Sequence, residues 1–159
     1  MNKKQKPQLV QKIISGGQTG VDRAALDAAI ELHIPCGGWC PKGRLAEDGI
    51  LDLKYPLKET SLGEYKQRTQ WNMRDSDGTL ILTFGEPQGG TRFTIDCAKK
   101  FNKPYLIINL KREPKSEEVI AWMEQHQIQV LNVAGPRESS APGMIYKKAK
   151  LFIMKIFQK

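Results

Sequence analysis

Short apolar runs alternate with stretches of helical periodicity along this chain. Residues 78–84 are apolar almost without alternation, the pattern of a strand buried on both faces; residues 104–109 form another continuous apolar strand, and residues 12–15 and 130–133 read as strands. Residues 34–37 predict one more short strand. Between these runs, residues 21–32, 62–75, 92–101, 116–126 and 144–157 carry the spacing of helices. The fourth opens with Ser116-Glu117-Glu118, acidic in the first turn as a helix start prefers. Residues 41–60, rich in glycine, proline and charge, read as a loop. Strands alternating with helices predict βαβ units. The expected fold class is therefore α/β, a single doubly wound parallel sheet of about five strands with helices on both faces.

Length agrees with that picture. The chain has 159 residues, which suits one domain with a proper core. Residues 1–11 are expected to form a flexible basic start. Lysine and arginine number 25 against 17 acidic residues, a formal charge of +8. That excess admits an anionic partner, and a phosphorylated small molecule is the one expected. No arginine-rich stripe is interleaved with aromatics, so nucleic acid is not expected. The apolar runs at 79–84 and 105–110 are strand-sized and cannot span a bilayer. The last helix is amphipathic and lysine-rich. That pattern predicts docking on the sheet rather than on a membrane, with a homo-oligomer as a further use of its apolar face. A soluble, cytoplasmic protein is the expectation.

Cys36, Cys40 and Cys97 form no disulfide framework, and no second Cys/His pair completes a zinc set. His33 and His126 stand alone. No metal site is expected.

Three loops carry the candidate chemistry. In the first, an apolar strand runs into Gly16-Gly17-Gln18-Thr19-Gly20-Val21-Asp22-Arg23 and a helix begins. Helix-start amides and the helix dipole favour an anion, and glycine lets phosphate approach the backbone. Thr19 can cap this helix and Arg23 can add charge. A tight turn needing glycine only for its shape has the same pattern. The second loop, Gly85-Glu86-Pro87-Gln88-Gly89-Gly90-Thr91, repeats the arrangement. In a parallel sheet both loops share the edge at which ligands bind. The third runs from Asn132 through Gly135, Pro136, Arg137, Glu138 and Ser139, with Arg137 able to grip phosphate as a fork. Arg68, Asn72 and Asp75 share a helical face by spacing, followed by Ser76 and Asp77. No Ser-His-Asp or Cys-His pattern occurs. Any hydrolysis would need a carboxylate, with Asp22 and Glu138 as the candidates and Asp75 or Asp77 behind them.

Several of these segments together resemble a known family. Gly16-Gly17-Gln18-Thr19-Gly20-Val21-Asp22-Arg23-Ala24-Ala25-Leu26 resembles the molybdenum carrier family, a circularly permuted YpsA-related branch of the SLOG superfamily. So do Gly38-Trp39-Cys40-Pro41-Lys42-Gly43-Arg44, Ala46-Glu47-Asp48-Gly49, Arg68-Thr69-Gln70-Trp71-Asn72, Asp75-Ser76-Asp77 and Leu131-Asn132-Val133-Ala134-Gly135-Pro136-Arg137-Glu138-Ser139. The resemblance covers nearly the whole chain. It implies a Rossmann-like fold and a nucleotide or nucleotide-derived ligand, with molybdenum cofactor as one candidate. It also adds Lys42 and Arg44 to the candidate ligand-binding residues.

Related proteins include the Lonely Guy phosphoribohydrolases. Their Pro-Gly-Gly-x-Gly-Thr-x-x-Glu motif supplies a glutamate that helps catalysis. Gly89-Gly90-Thr91 resembles the core of that motif, but Thr94 stands where the glutamate would be. Position 78 is glycine where the family usually has alanine. The resemblance thus implies a binding or carrier protein. A nucleoside monophosphate phosphoribohydrolase and a sensor of a nucleotide-derived ligand stand as alternatives.

Overall fold

The structure, a computed structural model, describes residues 9–158. Residues 1–8 of the expected basic start lie outside the described residues. The packed chain begins before the expected boundary: Val10 is buried, and the Gln11 amide donates to the Gln129 carbonyl.

Five strands form the main sheet: β1 (Lys12–Ile14), β2 (Cys36–Gly37), β7 (Gly78–Thr83), β8 (Tyr105–Asn109) and β9 (Val130–Ala134). All their pairings are parallel, in the order β2-β1-β9-β7-β8. Read from β9 through the termini to β1, that order becomes 3-2-1-4-5, the Rossmann arrangement with its starting point moved. β9 is the last strand in the chain but the central one in the sheet. The point where strand order reverses therefore falls on the loop that follows it.

Two helical layers cover the sheet. Helices α1 (Val21–Glu31), α4 (Ser116–Gln125) and α5 (Ile145–Phe157) pack together on one face. Helices α2 (Tyr65–Arg74) and α3 (Gly89–Phe101) pack on each other, α3 lying against β7. Side chains of β7 divide between the faces as a pleated strand requires. Leu80 and Leu82 enter the core with α1 and α5, while Ile81 packs with Met73, Ile95 and Ala98. Small Ala24, Ala25, Ala28 and Ala29 let α1 approach closely. The apolar face of α5, with Ile145, Ala149, Phe152, Ile153 and Ile156, is buried within its own chain.

The segment expected as a loop at 41–60 is a folded flap. Trp39–Cys40 (β3) pairs in parallel with Lys58–Glu59 (β6), and Leu45–Ala46 (β4) pairs with Gly49–Ile50 (β5). Arg44 organises it. Its guanidinium donates to the carbonyls of Leu51, Asp52, Tyr55 and Leu57 at 2.9–3.3 Å. Leu51, Tyr55, Leu57 and Cys40 then pack on Leu26 of α1. Among the described residues, no helix is long and apolar enough to cross a membrane.

Candidate functional site

A cavity of about 770 Å³ opens at the carboxyl edge of the sheet. The loops after β1, β7 and β9 and the first turns of α2 and α3 bound it. Its residues include Gly16, Gln18 and Asp22 from the first loop, and Gly89, Gly90 and Thr91 from the second. Asn132, Gly135, Pro136 and Arg137 come from β9 and the loop behind it, and Arg68 and Asn72 from α2. Twelve of the residues expected from sequence thus share one space.

The first loop is more closed than its glycines suggest. Gly20 has φ +78°, and a Cβ there would press into the Pro136 carbonyl. That carbonyl also accepts the Val21 amide, so the β9 loop covers the start of α1. Gly17 has φ +79° and faces Leu51 of the flap, 2.9 Å from where its Cβ would sit. It does not border the cavity. Thr19 caps no helix. Its hydroxyl donates to Glu47 at 2.5 Å and accepts the Glu138 amide at 3.1 Å. Arg23 is held by Asp48 and the Gly17 carbonyl. Gly16 is a different case: its missing Cβ leaves room for the Arg68 guanidinium, which donates to the Gly16 carbonyl at 2.8 Å.

Asp22 is the buried charge of the cavity. Arg68 Nη1 lies 3.6 Å from its carboxylate, and the Gln18 amide donates to it at 3.3 Å. Loss of water on burial pushes its pKa up to about 6, against the opposing pull of Arg68, the Gln18 amide and Arg23.

The second loop is open. A Cβ on Gly89 or on Gly90 would meet nothing within 4 Å. Both residues belong to the first turn of α3, where helix amides have no partner within the helix. Thr94, one turn on, lines the cavity and donates its hydroxyl to the Gly90 carbonyl at 2.9 Å.

Other expected residues are occupied elsewhere. Glu138 faces a second, open hollow of about 630 Å³ beside Thr19, Gly20 and Arg23. Its carboxylate accepts the amides of Ile145 and Tyr146 and so caps α5. Asp77 accepts the amides of Gln129 and Val130 at the amino edge, far from the cavity in sheet terms. Ser76 donates to the Met73 carbonyl, and Asp75 accepts the Trp39 indole N–H at 2.7 Å. Asn72, though it borders the cavity, spends its amide on both backbone groups of Trp39. Gly85 makes a tight turn at φ +81°, its amide bonded to Asn109. Arg44 is spent on the flap, and Lys42 does not line the cavity.

Sequence reasoning passed over Tyr65, Lys66, Phe93 and Glu47. Tyr65, Lys66 and Phe93 line the cavity. Tyr65, Arg68, Thr69 and Asn72 stand at i, i+3, i+4 and i+7, a spacing that could have marked the cavity face of α2. Glu47 accepts hydrogen bonds from Thr19 and from both the amide and hydroxyl of Ser139. Partial loss of water opposes them, yet those bonds and Arg137 hold its carboxyl below the usual range. It ties the flap to the β9 loop.

Comparison with known proteins agrees with this architecture. Residues 13–157 match the model of the "Circularly permutated YpsA SLOG family". A crystal structure from Syntrophus aciditrophicus SB, of a protein named "Putative molybdenum carrier protein", superposes with a TM-score of 0.88. It is 46% identical in sequence, and the match covers 95% of this chain and 96% of that one. No protein of curated function matches. With a moved Rossmann strand order and a family match across nearly all of its length, the chain belongs to the circularly permutated YpsA SLOG family.

Proposed function

We propose that this chain binds a phosphorylated, nucleotide-like molecule in the main cavity and carries it unchanged. The cavity's position carries the reading. It lies at the carboxyl edge where strand order reverses, the place at which open α/β sheets take ligands. Its volume falls within the roughly 300–1,000 Å³ of small-molecule sites. The phosphate is placed at the α3 turn, near Gly89, Gly90 and Thr91, with Lys66 and Arg137 to add charge. Arg68, Gln18 and Asn132 are placed against the rest of the ligand.

The name of the Syntrophus protein supports a molybdenum-related cargo. Molybdenum cofactor, as a phosphorylated pterin, suits a cavity of this size and charge. Thr94 supports carriage over turnover, because a neutral hydroxyl neither stabilises a cation by charge nor readily takes a proton at neutral pH. A cytoplasmic location belongs to the same reading. A homo-oligomer remains an expectation for light scattering to test, without help from α5, whose apolar face is used inside the chain.

Mass spectrometry of small molecules retained on the purified native protein tests the proposal. A phosphate-bearing heterocycle near one per chain is expected. A protein that retains none, and binds no phosphate-bearing heterocycle added back, overturns it.

One observation favours a second reading, hydrolysis of a nucleoside monophosphate to free base and ribose 5-phosphate. Asp22 lines the cavity with a pKa near 6, suited to moving a proton. Chromatography of adenosine monophosphate after incubation decides between the two. Intact nucleotide supports carriage. Adenine released over many turnovers and abolished by Asp22→Asn establishes hydrolysis.

A further inference from the structure

The loop after β9 takes part in both hollows. Pro136, Arg137 and Ser140 line the main cavity, while Glu138 and Ser139 line the second. Glu47, in the turn between β4 and β5, borders the second hollow and not the main cavity. Its place is fixed by the first loop. The Glu47 backbone amide donates to the side-chain oxygen of buried Gln18 at 2.8 Å, and the Thr19 amide donates to that same oxygen at 3.0 Å. Its carboxylate then reaches the β9 loop. One oxygen accepts the Thr19 hydroxyl at 2.5 Å and the Ser139 amide at 3.0 Å. The other accepts the Ser139 hydroxyl at 2.6 Å and lies 3.6 Å from Nε of Arg137.

We infer that Glu47 is a positioning residue for ligand binding: from the flap, outside the cavity, it holds Arg137 and the loop around it ready for the ligand. The inference rests on the proposed phosphate-binding cavity and names what sets the geometry of its charged wall. Glu47 engages Arg137 at Nε. The terminal nitrogens of Arg137 have no hydrogen-bond partner among the described residues, and they are the ends that grip a phosphate as a fork. The Arg137 side chain is 57% exposed. Unheld, it would lose its rotamer freedom only as the ligand arrives; held beforehand, it brings less of that cost to binding. The flap itself does not depend on Glu47. Arg44 binds its carbonyls, Leu51, Tyr55 and Leu57 pack on Leu26, and the Tyr55 hydroxyl donates to Asp27 at 2.6 Å. Truncating Glu47 therefore loosens the β9 loop and leaves the flap folded.

Titration calorimetry of the full chain with adenosine monophosphate and with inorganic phosphate tests this, beside amide hydrogen exchange of the free protein. Glu47→Ala is expected to bind about tenfold more weakly, the scale of one charge-assisted contact. Exchange at Glu138 and Ser139 should quicken about tenfold in that variant while β7 exchanges as before. Glu47→Gln keeps an acceptor for Thr19 and Ser139 and is expected to restore most of the affinity. Arg137→Ala is expected to weaken binding about tenfold, and adding Glu47→Ala to it should change little, because the two act through one contact. Losses that multiply to about a hundredfold in the double variant overturn the inference. So does tighter binding by Glu47→Ala, which would mean that Glu47 competes with the ligand for Arg137. Unchanged binding or unchanged exchange in Glu47→Ala overturns it too and leaves the phosphate site standing. An unaltered chain that binds neither probe overturns the phosphate site, and the inference with it.

Discussion

The two glycine-rich strand-to-helix turns look alike in sequence and do different work. Between β1 and α1, glycine is demanded by the protein itself. Gly17 and Gly20 take positive φ angles, and backbone or side-chain atoms fill the space a Cβ would need. The start of α1 is covered, its Val21 amide held by Pro136. Between β7 and α3, Gly85 and Gly89 also take positive φ, at +81° and +52°, but Gly89 and Gly90 border open space. The first turn locks three loops together; the second leaves a helix start accessible to a ligand. A glycine-rich turn therefore signals a left-handed backbone or a close approach to it, and only the fold reveals which, and whether a neighbouring segment fills the space.

Gly20→Val should break the first turn most severely. A β-branched residue at φ +78° against the Pro136 carbonyl combines backbone strain with a clash, a loss of roughly 3 kcal/mol or more in urea unfolding. Gly17→Val should act in the same way, through Leu51. Lost binding with full stability in either variant would contradict the contrast between the turns.

Asp22 gives the next effect. Its pKa rises from the usual 3.8 to about 6, so the folded state holds this proton more tightly than the unfolded chain. Its contribution to stability should fall as pH rises from about 4 to about 6, by roughly 3 kcal/mol, and level off above. Asp22→Asn should flatten that part of the stability curve. Identical pH profiles for the two proteins would refute the role of burial.

Gly90→Ala should separate binding from folding. Helix stability should hold or rise by about 0.5 kcal/mol, because alanine replaces glycine in a helix with free space around it. Affinity for a phosphate ligand should fall about tenfold in calorimetry, as the methyl group crowds the α3 start. Smallest of all, Asp48→Asn should cost about 0.5 kcal/mol, since the Arg23–Asp48 pair is open to water on the Asp48 side. A loss of several kcal/mol in thermal unfolding would show that this surface pair governs the first turn.

The sheet was legible in the residues because buried parallel strands read as unbroken apolar runs, as at Gly78–Thr83. The flap was not. Its order comes from one arginine reaching four carbonyls, an arrangement with no periodic trace. Glu138 read as a candidate for chemistry because nothing local shows that it caps a helix starting seven residues on. Tyr65 carries no local mark of the cavity, because an aromatic at helical spacing reads equally as core.

Backbone amide NMR during titration with adenosine monophosphate tests the central contrast most directly. The account predicts saturable shifts at Gly89, Gly90 and Thr91 and in the loop at Gly135 and Arg137, with Gly17 and Gly20 little changed. Shifts centred on Gly17–Gly20, with the α3 start unmoved, would contradict it.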